Sequence, residues 1–167
     1  MIILKKIKKI YHYTSKQNFD IISRENILEA KTKLPIDDLT LCNFVTGIPA
    51  PNHKGWEEYG LMPYLIEHAG GNVIFEIPIH KRRREYTLVR EHALYSPKRF
   101  LELFSEDLWV KMYSGHVTKE DQEKITTCEN EYISSTVPLN RYKGNFKAPE
   151  IWLPQDTYIT ELKLISL

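Results

Sequence analysis

The sequence predicts an α+β fold, and three observations lead there. Strand-like and helix-like segments are intermixed along the chain, the regular strand–helix alternation of a doubly wound parallel sheet is missing, and a composition of 42% hydrophobic and 27% charged residues is that of a globular protein with a core. At a working size of ~150 residues per domain, a chain of 167 residues reads as one unit over 1–167. No internal repeat, low-complexity tract or Pro/Gly/Ser-rich linker divides it.

Each element has a local reason. Residues 2–13 mix Ile and Leu with Lys and then Tyr-His-Tyr, a β-branched and aromatic content that predicts a strand ending near Tyr13. Thr14 and Gln17 fit a capping box, and Phe19, Ile21, Ile22 and then Ile27-Leu28 supply the apolar stripe of a helix. Lys33 to Gly55, with its Pro, Asn, Asp and Gly, reads as a long irregular connection. Trp56 to His68 has helical spacing closed by Gly70-Gly71. Asn72 to Ile79 is the clearest strand, and Thr87 to Leu94 a weaker one. Pro97 to Phe104 predicts a helix with Pro in its first turn, and Thr118 to Asp121 opens another running to about Tyr132. Ser134–Leu139, Ala148–Leu153 and Tyr158–Leu167 complete the strands.

Several function classes are excluded by what the sequence lacks. There is no GxGxxG, GxxxxGK[ST], HExxH, GxSxG or CxxC, and the six histidines show no ligand spacing, so no metal is expected. Cys42 and Cys128 form no disulfide framework. No apolar run approaches the ~18 residues that cross a bilayer, and MIILKKIKKI lacks the apolar stretch and cleavage site of a signal peptide, so no membrane partner and a cytoplasmic location are expected. The net charge of +1 argues against nucleic-acid binding by global charge, although Lys5, Lys6, Lys8 and Lys9 form one local basic cluster and Lys81 to Arg84 a second.

Two segments carry chemistry. Tyr11-His12-Tyr13-Thr14-Ser15 closes the first strand, and Ala148-Pro149-Glu150-Ile151-Trp152-Leu153 lies near the chain's end, where Pro149 cannot donate to a sheet ladder and marks an edge or bulge from which a side chain can be aimed. Read as residues alone, the first is equally a half-buried strand face followed by a helix cap, and Glu150 a solvated strand residue. Together, in this order and separation, they resemble the ADP-ribosyltransferase superfamily in its His-Tyr-Glu branch and related bacterial toxin and effector families. The resemblance spans about Ile10 to Ile165.

That resemblance implies a split β-sheet core with short flanking helices, and NAD as co-substrate. It implies that His12 bonds the NAD ribose, that Tyr13 and Thr14 or Ser15 complete the cofactor contact, and that Glu150 is catalytic. It also implies an aromatic residue against the nicotinamide, for which Tyr59 and Tyr64 are the candidates; core packing is the alternative for both. Trp56 with Asn43 to Gly55 is a candidate lid. Arginine-modifying members carry Glu-x-Glu, and Ala148 stands at the first of those positions, which turns the expected acceptor away from arginine. The macromolecular acceptor, nucleic acid or protein, stays open, as does hydrolysis of NAD by water. Lys81 to Arg84 is either a phosphate-backbone contact or a solvated turn, and Arg141, Tyr142 and Lys143 are candidates for acceptor contact. An RNA 2'-phosphotransferase-like enzyme would draw on Arg24, Arg90 and Arg141; a non-catalytic module binding nucleic acid or an acidic partner would use the two basic clusters.

Overall fold

The chain's apolar alternation builds three antiparallel sheets and six α-helices among the described residues, which in this computed structural model are 6–25, 28–29, 43–155, 158–159 and 163–166. The strands are β1 (Lys9–Thr14), β2 (Leu28–Glu29), β3 (Asn43–Gly47), β4 (Val73–Pro78), β5 (Leu88–Glu91), β6 (Val137–Pro138), β7 (Pro149–Gln155), β8 (Tyr158–Ile159) and β9 (Lys163–Ser166). The helices are α1 (Lys16–Glu25), α2 (Lys54–Glu58), α3 (Met62–Ala69), α4 (Pro97–Phe104), α5 (Leu108–Ser114) and α6 (Lys119–Ser134). One sheet runs β1-β4-β9, a second β3-β7-β5-β6, and β2 pairs with β8. The α+β class therefore stands.

In β4 the period of two sorts side chains onto opposite faces. Val73, Phe75 and Ile77 join Ile10, Ile22, Val45, Val89, Ile151 and Leu153 in one core. Ile74 faces the other way, with Tyr13, Ile48, Trp56, Phe100, Trp109 and Ile125. The first core is closed by α1 and the second by the later helices, and each fully buried aliphatic side chain contributes roughly 1.5–3 kcal/mol.

Among the described residues the two larger sheets exchange backbone hydrogen bonds at one bridge. Tyr11 N–H donates to Ile48 O at 2.9 Å and Ile48 N–H to Tyr11 O at 3.1 Å, an isolated antiparallel bridge. Gly47 allows the approach, since a Cβ there would lie 2.8 Å from Tyr11 O. On the far side of β3, Gly47 pairs with Ile151, the neighbour of Glu150, and Glu150 itself pairs with Arg90 of β5.

Some expectations need correction. The first helix is capped by Ser15, whose Oγ accepts from Asn18 N–H at 3.1 Å; Thr14 remains in β1, so the capping box is not formed there. That helix ends at Glu25, and Leu28 enters a strand instead of extending the stripe. The expected irregular connection contains β3, because Phe44 and Val45 find buried places against β7. The helix over Trp56–His68 is two helices, broken at Gly60, whose φ of 75° belongs to the left-handed region. The sequence reading had no helix at α5, capped by Asp107, and the strand over Tyr158–Leu167 is two short ones. The helix Pro97–Phe104 with Pro in its first turn and the helix start at Thr118 with its capping box form as the sequence predicts, and Ser96 caps the first of them. Lys5, Ile27 and Lys33–Cys42 lie outside the described residues.

The start of β7 is fixed by one carboxylate. Glu91 Oε1 accepts from Ala148 N–H at 2.8 Å and Ala93 N–H at 3.2 Å, and Oε2 from Lys147 N–H at 2.5 Å. Gly55 packs against the same turn so closely that a Cβ would fall 1.7 Å from Lys147 O. Removing the carboxylate would orphan three backbone donors, each costing about 1–3 kcal/mol where water cannot replace the partner. Glu91→Ala is expected to lower unfolding stability by about 3 kcal/mol and Glu91→Gln by less, as read from urea midpoints; equal midpoints for wild type and Glu91→Ala would show that the turn holds itself.

Candidate functional site

Beside the Tyr11–Ile48 bridge the structure opens a cavity of about 430 Å³, within the size range of small-molecule sites. Its wall includes His12, Tyr13, Thr14, Tyr64 and Glu150, so five of the six sequence-derived site residues meet there. Asn18, His68, His92, Trp56 and Trp152 also line it. β3 stands between β1 and β7, and two strand spacings put their backbones about 10 Å apart.

His12 is oriented by backbone. Its Nδ1 lies 2.8 Å from Thr46 O, and a carbonyl only accepts, so Nδ1 carries the hydrogen and Nε2 is the lone-pair nitrogen of the neutral ring. Burial pushes the His12 pKa below its ordinary value, against the smaller opposite pull of the Thr46 carbonyl, which keeps the ring neutral at pH 7. A neutral, fixed imidazole is suited to accept a hydrogen bond from a hydroxyl. Thr14 is buried, and Tyr13 is tied by Asn52 N–H donating to its hydroxyl at 3.0 Å.

Glu150 is held from behind. Tyr132, from the end of α6, donates its hydroxyl to Oε1 in a short hydrogen bond, and Trp152 Nε1–H donates to the same oxygen at 2.6 Å. Its other oxygen, Oε2, lies 3.7 Å from His92 Nε2. Burial and the adjacent Glu150 carboxylate drive the Tyr132 pKa upward, so Tyr132 stays a donor. Behind this pair Arg90, 2% exposed, places its guanidinium 5.0 Å from the Trp152 ring centroid and 5.3 Å from that of Tyr132. Arg90 Nε–H donates to Thr136 Oγ1 at 2.8 Å, while Nη2 has no hydrogen-bond partner among the described residues. The result is a carboxylate, 14% exposed in its side chain, backed by a cation and presented to a cavity.

His92 was not singled out by sequence reasoning. Its Nδ1 lies 2.8 Å from Tyr95 O, so Nδ1–H donates and Nε2 faces Glu150. The Trp56 ring meets it edge-on at 5.1 Å. The weak signal available was position, near the end of the predicted strand Thr87–Leu94; the sequence offers Arg90 only for a phosphotransferase-like enzyme and gives no signal for Tyr132, because their places beside Glu150 come from β5 and α6 meeting β7.

Two expectations are corrected. Tyr59 is not brought to the cavity: its ring lies under Lys98 Nζ at 4.7 Å, on the outer side of the break between α2 and α3. Trp56 is no lid, since it is 2% exposed and its Nε1–H donates to Pro149 O at 2.9 Å, making it a fixed support of β7. Tyr64 does face the cavity, braced by His68 at 5.9 Å and edge-on by Trp109 at 5.2 Å. Arg24 and Arg141 are exposed, and no Lys or Arg among the described residues lines the cavity. Among the described residues no cluster of three or more His, Cys, Asp or Glu is arranged to hold a metal, and no helix is long and apolar enough to cross a membrane.

The depressed His12 pKa has a sign. The folded form resists protonation that the unfolded chain accepts near pH 6.5, so stability is complete above that pH and falls as the unfolded state takes up the proton below it. His53, also lowered by burial, contributes in the same direction. Urea midpoints from pH 7.5 to 5 are expected to fall for wild type and to fall less steeply for His12→Gln; parallel slopes would place the loss elsewhere. Comparison with protein-family models, with curated proteins and with solved structures finds no match for this chain.

Proposed function

We propose that the chain is a mono-ADP-ribosyltransferase that binds NAD in the His12–Glu150 cavity and transfers ADP-ribose to a macromolecular acceptor. The observation that carries the proposal is the convergence of His12, Thr14, Tyr64 and Glu150, contributed by β1, α3 and β7, on one cavity at the seam of two sheets. The seam supports the split-sheet core implied by the resemblance. The residues present suit NAD: a neutral imidazole and a threonine for ribose hydroxyls, an aromatic ring for the nicotinamide and a fixed carboxylate.

Bound NAD supplies the bond between nicotinamide and ribose, whose cleavage leaves positive charge on the sugar. Glu150 acts on that charge. Because Tyr132 and Trp152 donate to Oε1, the carboxylate enters the reaction already oriented and pays little reorganisation. Oε2 stays toward His92 and the cavity, where it can stabilise the sugar's charge and orient the incoming nucleophile. His92 Nε2, held by the bond from Nδ1–H to Tyr95 O, is placed to take the nucleophile's proton. Tyr64 offers its ring to the nicotinamide, and offset stacking adds roughly 0.5–1.5 kcal/mol.

The test is nicotinamide release and label transfer from NAD. Glu150→Gln keeps the side chain's size and is expected to lower release by about 10²–10³-fold, the range for losing one preorganised electrostatic contact. Tyr64→Leu is expected to weaken NAD binding roughly 2–12-fold by calorimetry. Equal release by wild type and Glu150→Gln would reject the assignment. Release without any labelled macromolecule would make water the acceptor.

A further inference from the structure

We infer that the chain carries a second binding site, a basic groove for the phosphate backbone of a single-stranded nucleic acid, at the opposite end of β1 from the His12–Glu150 cavity. The groove encloses about 710 Å³ and among the described residues is lined by Lys6, Lys81, Arg82 and Arg84 against a single carboxylate, Glu85, with Tyr142 on its wall. Antiparallel pairing of Lys9 with Pro78 sets the start of β1 beside the end of β4, and Ile79 N–H continues the contact to Lys8 O at 2.8 Å. Two basic segments far apart in sequence thereby meet.

The charges differ in their freedom. Arg84 is 8% exposed, and its Nη1 donates to Ile7 O, which locks the turn after β4 onto the residues before β1. Lys6, Lys81 and Arg82 are exposed, and none is ion-paired among the described residues. Four converging cations with one counter-charge repel one another, and a bound polyanion relieves that repulsion.

The shape selects the kind of anion. Lys81 and Arg82 also line an adjoining concavity of about 600 Å³ with His80, so the positive surface continues as a track beyond a hole for one phosphate. Tyr142 is fixed, with Phe146 N–H donating to its hydroxyl at 3.1 Å and the Phe146 ring 5.0 Å away, and a fixed ring beside a cationic track is the combination that takes unpaired bases together with their phosphates. A lipid surface meets convex basic faces, whereas these cations line concavities. An acidic peptide would leave the ring without a stacking partner.

From Ile7, just before β1, to His12, which shares the cavity wall with Glu150, is about 17 Å at strand rise, so the groove lies apart from the cavity and needs no NAD. It stands whether or not NAD is cleaved. Where both sites operate, it deepens the proposed function by naming a nucleic acid as acceptor.

The experiment is fluorescence anisotropy of labelled dT20 and U20 with the full chain, without NAD, between 50 and 200 mM salt. Three or four phosphate contacts predict a slope of log K against log salt of about −2 to −3 for single strands, at roughly −0.7 per contact. K81E/R82E is expected to weaken binding tenfold or more and to flatten the slope by about 1.4. Glu150→Gln is expected to bind as wild type does, which separates failure of this site from failure of the NAD reading. No binding, unchanged binding by K81E/R82E, weaker binding by Glu150→Gln, or equal competition by polyglutamate or phosphatidylserine vesicles would each overturn the inference. Should K81E/R82E fail to fold by circular dichroism, K6E at the exposed residue before β1 serves the same comparison.

Discussion

Two backbone hydrogen bonds between Tyr11 and Ile48 join the sheets, and the cavity exists because strand pairing between β1 and β3 goes no further. A continuous ladder would carry pairing on from this bridge toward Thr46 and Tyr13. Instead the His12 ring reaches across and takes Thr46 O, so a side chain satisfies a carbonyl that pairing would have used. The same bond fixes the ring's tautomer. Substituting Gly47 would push β1 away from β3 and disturb both bridge and ring, because a Cβ there meets Tyr11 O before anything flexible can move.

The carboxylates follow a division of labour set by their donors. Glu91 meets backbone N–H groups only, which makes it a clasp for the turn before β7. Glu150 meets side-chain donors on one oxygen and leaves the other toward His92 and the cavity. Burying a carboxylate without partners costs far more than any single contact returns, and the surroundings of Glu150 answer with two donors and the Arg90 cation stacked behind their rings. The arrangement leaves one face of the group open to the cavity.

Much of this was legible in the sequence, and the reasons are local. The strand Asn72–Ile79, the helix from Pro97 and the cap at Thr118 follow from alternation, the fixed φ of proline and side-chain hydrogen bonding within a few residues. β3 was not legible, since its five residues sit among Pro, Asn and Gly and are strands only because β7 lies alongside. Tyr59 and Tyr64 could not be separated by spacing: they are five apart on what read as one helix, and the break at Gly60 turns them to different sides. By sequence Thr14 fits the cap, and the register of β1 with β4, which carries Thr14 opposite Val73, leaves the role to Ser15. Tyr132, Arg90 and His92 acquire meaning only through contacts spanning tens of residues.

β1 links the two ends of the molecule through a single rigid element. Just before it, Ile7 O is fastened by Arg84; at Tyr11 it is bridged to β3; at its close, His12 and Thr14 face the cavity. Lys9 and Tyr11 both bond Glu76 on β4, at 2.8 and 3.0 Å, so the exposed face of the strand is pinned between those points. A strand held at so many places keeps the two sites at a constant separation. A polyanion seated in the basic groove would therefore present to Glu150 only those nucleotides that lie a fixed length away along its strand, and site choice in such an acceptor would follow from distance before any base was read.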